Sequence, residues 1–153
     1  MSSVTVVHTY NKSFSNLKYE NFMKDVLQKI AKVGSRDDLE AILNNIGPET
    51  DRRAIIASLL NSKNSLKYSV LHTALFSRFF LCGFNFFSNF RFLRNIEVFN
   101  SLIDYGSDID AKCNGTPVLH LAITTMTLPN GDRFGFSCLE KLINNGVDIS
   151  CKV

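Results

Sequence analysis

Between Tyr19 and Val33 the apolar positions Phe22, Met23, Val26, Leu27 and Ile30 fall at a helical period and form one stripe, which predicts an amphipathic helix. Gly34 stops it. Asp37 or Asp38 then offers an N-cap for a second helix carrying Leu39, Ile42, Leu43 and Ile46, which Gly47 and Pro48 bring to an end. Two short helices joined by a tight turn make an αα-hairpin. A third helix is predicted from about Asp51 to Leu60, capped by Thr50 or Asp51, with Ile55, Ile56, Leu59 and Leu60 facing inward. Residues 1–18 show no clear period and are rich in Ser, Asn and Thr, so they read as a poorly ordered lead-in. Asn61 to Ser65 is a polar linker that closes the N-terminal block, residues 19–64.

The remainder of the chain writes one pattern twice. Leu71-His72-Thr73-Ala74 and Leu119-His120-Leu121-Ala122 each open a helix, followed by a variable loop, a second helix, a glycine and a polar turn. The second-helix ends align residue for residue, "VFNSLIDYGSDIDAK" from Val98 against "CLEKLINNGVDISCK" from Cys138. In that register Leu102-Ile103 meets Leu142-Ile143, Gly106 meets Gly146, and Asp108-Ile109 meets Asp148-Ile149. The two units are residues 65–112 and 113–153. Their histidines are 48 residues apart and their glycines 40, so extra residues are expected as enlarged inter-helix loops near Phe79 to Leu93 and Thr127 to Phe136.

These residues resemble the ankyrin repeat family, whose unit of about 33 residues is a β-turn and two helices opened by Thr-Pro-Leu-His-x-Ala. The predicted fold is accordingly all-α: a short ankyrin-repeat solenoid of stacked helix-turn-helix units with an N-terminal helical cap. A helix pair this small cannot bury its apolar stripe alone, so each unit relies on its neighbours. Leu71 and Leu119 should fill the core between units, Ala74 and Ala122 should let helices approach, and Gly106 and Gly146 suit a left-handed position after a helix. The resemblance implies that His72 and His120 hydrogen-bond locally to tie turn to helix, normally through a threonine three residues upstream. Ser69 stands there in the first copy and Pro117 in the second, which makes the second turn irregular. Residues 19–47 resemble a divergent first unit through Asp38-Leu39-Glu40-Ala41-Ile42-Leu43 but have no Leu-His signature, and so read as the cap.

Composition narrows the functional classes. A chain of 153 residues, 45% apolar and 20% charged, fits one folded unit rather than a disordered segment. The net charge of +3 is spread among acids, so no phosphate-tracking stripe points to nucleic acid. Cys82, Cys113, Cys138 and Cys151 include no Cys-x-x-Cys pair and read as reduced, mostly buried thiols of a cytoplasmic protein. The first ten residues lack the basic start and the longer apolar run of a secretory signal, so Sec export is not expected. The run "FFLCGFNFFSNF" from Phe79 is too short and too interrupted to span a bilayer, which takes about 20 apolar residues.

That run has three readings: a packed helix extension, which is favoured, an exposed partner-binding loop, or a membrane-surface patch. Phe84, Phe86 and Phe87 are its candidate contact residues. Asn130-Gly131, a hairpin-type turn, places Asp132 and Arg133 beside it as further candidates for protein binding. No phosphate loop, Ser-His-Asp order, paired-carboxylate constellation or metal-ligand spacing is present in the sequence, so no catalysis, cofactor or metal is expected.

The family resemblance implies a non-catalytic protein-protein interaction module. Similar short, divergent proteins of viruses and intracellular bacteria imply a host protein as partner and delivery by a non-Sec route. The second reading is a truncated or vestigial fragment of a longer array, because no polar cap helix follows Lys152-Val153. An uncapped last unit would also associate weakly with itself.

Overall fold

A computed structural model describes residues 17–46, 50–81, 88–127 and 132–150, apart from the side chains of residues 17–19, 77–95 and 132. Among the described residues are seven helices and one very short hairpin.

Helix α1, Leu17–Val33, buries Met23, Leu27, Ile30 and Ala31 on one stripe, and a Glu20–Lys24 pair at 2.8 Å supports its outer face. Helix α2, Arg36–Leu43, starts on Ser35 rather than on Asp37 or Asp38. The reason is a capping box: the Asp38 N–H donates to Ser35 Oγ at 3.3 Å and the Ser35 N–H to Asp38 Oδ2 at 3.0 Å, satisfying two otherwise orphaned amides. Helix α3, Arg52–Leu60, has Asp51 at its N-cap without a side-chain bond and buries Ile56, Leu59 and Leu60.

Helix α4, Val70–Leu81, and helix α5, Ser88–Asp104, form the next pair. Strands β1, Lys112–Cys113, and β2, Thr116–Pro117, pair antiparallel and lead into helix α6, Val118–Met126, and helix α7, Asp132–Asn144. Asn114 and Gly115, with φ of 50° and 84°, turn the hairpin, and two consecutive positive φ values are what a type I′ turn requires.

The expected loops at 79–93 and 127–136 are thereby corrected. Residues 79–81 end α4, residues 88–93 begin α5, and residues 132–136 begin α7, so much of the additional sequence lengthens helices. In α7 the cause is visible: Phe134, Cys138 and Leu142 lie at i, i+4 and i+8 and are all fully buried, one stripe extending a turn earlier than the matched segment. Gly135 belongs to the same turn. A Cβ there would sit 2.6 Å from Met126 Cγ and 2.7 Å from the Met126 amide nitrogen, so the glycine marks where α7 rides against α6.

The helices pair as α1–α2, α4–α5 and α6–α7. Helices α1, α4 and α6 pack in one row and α2, α5 and α7 in a second, while α3 lies against α1. A single apolar cluster runs through all of it, from Leu27 and Leu39 through Leu71, Leu75 and Phe99 to Phe134 and Leu142. None of the described helices is long and apolar enough to cross a membrane.

The matched segments adopt the same backbone. After α5, Gly106 has φ 108°, its N–H reaches the Ile103 carbonyl at 3.1 Å, and the Ser107 N–H reaches Leu102 at 3.0 Å. After α7, Gly146 has φ 79°, its N–H reaches Ile143 at 3.1 Å, and the Val147 N–H reaches Leu142 at 3.1 Å. Both are Schellman ends, in which a left-handed glycine lets two amides close on the last carbonyls.

Candidate interaction surface on the turns and the first helix row

His72 is fully buried at the start of α4. Ser69 Oγ lies 2.7 Å from its Nδ1 and also accepts the His72 backbone N–H at 3.3 Å, so the hydroxyl caps the helix and donates its proton to the ring. That leaves Nε2–H to donate to the Thr116 carbonyl at 3.2 Å, across to the β hairpin. Burial holds the imidazole below its ordinary pKa, opposed by the Thr116 bond and aided by the charge on Lys63. His120, by contrast, is only half buried, and Pro117 upstream of it offers no hydroxyl.

Gln28 does for the first pair what His72 does for the second. Its Nε2 donates to the Tyr68 carbonyl at 3.2 Å, and its Oε1 accepts from Thr73 Oγ1. Tyr68 and Thr116 each precede the residue three places before a histidine, so the two carbonyls are equivalent positions. A glutamine has thus taken the bridging place in the pair without a Leu-His signature. No motif flags it in the sequence.

The turns are tied in the same stepwise way. The Asp108 N–H donates to Asn61 Oδ1 at 2.8 Å, and the Asp148 N–H donates to Asp110 Oδ1 at 2.9 Å. Lys63 Nζ donates to the Lys112 carbonyl at 2.6 Å. Asp108 and Asp148 also close Asx turns on the amides of Asp110 and Ser150, each at 3.0 Å. The Ser150 bonds hold the exposed Asp148 carboxyl below the usual range. On the far row, Tyr105 donates to Asn44 Oδ1 at 2.7 Å and Lys141 meets Asp104 at 2.8 Å.

Of these, the Lys63 bond ties the flank of one turn tip, next to α1, to strand β1, which leads into a second tip. The first tip, residues 64–68, is organised by Asn64, whose Oδ1 accepts the Leu66 and Tyr68 amides at 2.9 and 3.0 Å. Lys67 sits at its apex with φ 69°, and Leu66 is 62% exposed. The second tip is Asn114-Gly115. Between the first tip and α1 lies a polar cleft of about 340 Å³, lined by Asn21, Lys24, Asp25 and Gln28 and by residues 62–65.

Other anticipated residues fall as follows. Leu71, Ala74, Leu119 and Ala122 are buried in the core. Phe84, Phe86, Phe87 and Asn130 lie outside the described residues, as do Cys82 and Cys151. Asp132 and Arg133 belong to the first turn of α7 rather than to a loop, and Arg133 is exposed. Cys113 and Cys138 are buried free thiols, and desolvation raises both, Cys138 strongly. Among the described residues no group of three or more His, Cys, Asp or Glu is placed to hold a metal.

Comparison with protein-family models gives no match, and neither the curated proteins nor the solved structures contain one.

Proposed function

We propose that this chain is a short ankyrin-like stack that binds another protein without catalysis, presenting its turn tips and the α1 cleft to the partner. The observation that carries this reading is the first turn tip fixed beside a polar cleft, with Leu66 exposed at 62% on it. Side chains that could have been spent on solvent instead cross from turn to turn, as Asn61, Lys63 and Asp110 do. Such bracing preorganises loops, and a preorganised loop loses less entropy on binding.

Chemistry then limits the partner. Lys63, Lys67 and Lys112 are exposed along the tips, and Lys24 lines the cleft already paired with Glu20. An extended polar or acidic segment fits this surface, with Leu66 as the apolar contact. Lysine charges at a rim speed encounter and select against basic partners more than they add affinity.

The test is capture of a partner on the intact chain, followed by titration of that partner against variants. Leu66→Asp combined with Lys67→Glu should weaken the complex at least about tenfold. A control substitution on the far side of α7, Ile143→Lys, should leave it unchanged. Binding indifferent to the tip variant would overturn this assignment of the surface.

A further inference from the structure

We propose that His72 is an acid-sensitive latch: when its ring takes up a second proton, the β1–β2 hairpin lifts from α4 while the helix pairs stay folded. The hairpin is two strands of two residues each, too small to hold itself in place. Two side chains fasten it from outside, Lys63 at the Lys112 carbonyl and His72 at the Thr116 carbonyl. One fastening is already a cation. The other is uncharged only while the imidazole is neutral.

The site around His72 is built for the neutral ring. Ser69 Oγ, 2.7 Å from Nδ1, gives its proton to that nitrogen and accepts the backbone N–H of the same residue. A proton on Nδ1 would force the hydroxyl to turn its own hydrogen away from the ring, at a residue only 3% exposed. His72 is also the third residue of α4, where the unbonded amides of a helix start disfavour positive charge.

Negative charge does not compensate. On the surrounding elements the titratable groups are Lys24 and Asp25 on α1, Glu97 on α5, His120 on α6, and Lys112 and Cys113 on the hairpin. Among the described residues only the charge on Lys63 bears on the ring, and its sign repels an imidazolium. A buried, unpaired cation is costly, so protonation favours the arrangement that gives the ring water. Lifting the hairpin does this by surrendering the Thr116 bond, and it leaves the packing of α4 on α1, α5 and α6 in place.

Nuclear magnetic resonance of the full, isotope-labelled chain between about pH 8 and about pH 5 tests the latch. The His72 ring and the amides of residues 112–116 should shift together and reversibly, with one midpoint below 6.5, while the amides of α1 and α7 stay in place. His72→Gln should abolish the response of the hairpin. Lys63→Gln, which removes the neighbouring charge, should raise the midpoint, and it reads the latch even where His72→Gln does not fold. None of these readings involves a partner, so they stand apart from the binding surface. A ring that stays neutral until the whole chain unfolds, a ring that titrates while the hairpin amides hold still, a hairpin response that survives in His72→Gln, or a midpoint unmoved by Lys63→Gln would each overturn the proposal.

Discussion

His72 is buried with both ring nitrogens bonded, one to a hydroxyl that also caps its helix and one to a carbonyl of the β hairpin. Truncating it strands Ser69 Oγ and the Thr116 carbonyl and leaves a cavity, so His72→Ala should cost about 2–4 kcal/mol. His120→Ala, at a half-buried site beside Pro117, should cost about 1 kcal/mol or less. Urea unfolding of both variants measures the contrast, and equal losses would contradict it. The pH dependence follows from the same burial. Because the folded imidazole titrates below its ordinary 6.5, the unfolded chain binds the proton first. Stability from this group is therefore complete above about pH 6.5 and declines as pH falls from there toward the lower folded value. In urea titrations between about pH 8 and about pH 5, that part of the decline should vanish in His72→Gln. Ser69 as the partner of His72 was legible only through the family resemblance, which implies a hydroxyl three residues before the histidine. Gln28 was not, because a glutamine inside a helix looks the same whether it faces water or a carbonyl.

At the scale of elements, matching the two repeated segments located the ends of α5 and α7 better than their beginnings. Gly106 and Gly146 punctuate the C-termini of α5 and α7, and left-handed glycines are strong local signals. The beginnings were obscured by what precedes them. "LPNGDRFGF" reads as a loop because it holds two glycines and a proline, yet Phe134 within it joins a buried stripe with Cys138 and Leu142. Gly135 owes its place there to proximity rather than to backbone freedom. Alanine is a better helix former by about 0.8–1 kcal/mol, so propensity alone predicts that Gly135→Ala stabilises. The added methyl would meet the Met126 amide nitrogen at 2.7 Å, which only separation of α6 from α7 relieves. The expected outcome is a net loss of about 1–3 kcal/mol in urea unfolding. A variant as stable as the parent would show that the two helices do not approach this closely.

For the whole molecule, the arrangement of pairs decides where stability is concentrated. Helix α4 packs on α1, α5 and α6, and its first turns contain Val70, Leu71, Ala74 and Leu75, all buried, with His72 bonded across to the hairpin. Helix α3 has α1 as its main neighbour and exposes Arg53, Ala54 and Ser58. The last turn of α7 is exposed at Ile143 and Asn144. Where helix pairs gain burial from adjacent pairs, a central helix opens only when both of its neighbours have been lost, whereas a peripheral one opens alone. Native-state hydrogen exchange should thus find the slowest amides in residues 73–76 of α4, with exchange orders of magnitude faster in α3 and at the end of α7. Uniform protection across all three would mean one all-or-none unit, in which the bridges from Gln28, His72, Asn61 and Asp110 couple the pairs more strongly than their packing alone requires. The gradient would mean that each pair draws its stability from the contact beside it, so covering the exposed end of α7 should slow exchange there first.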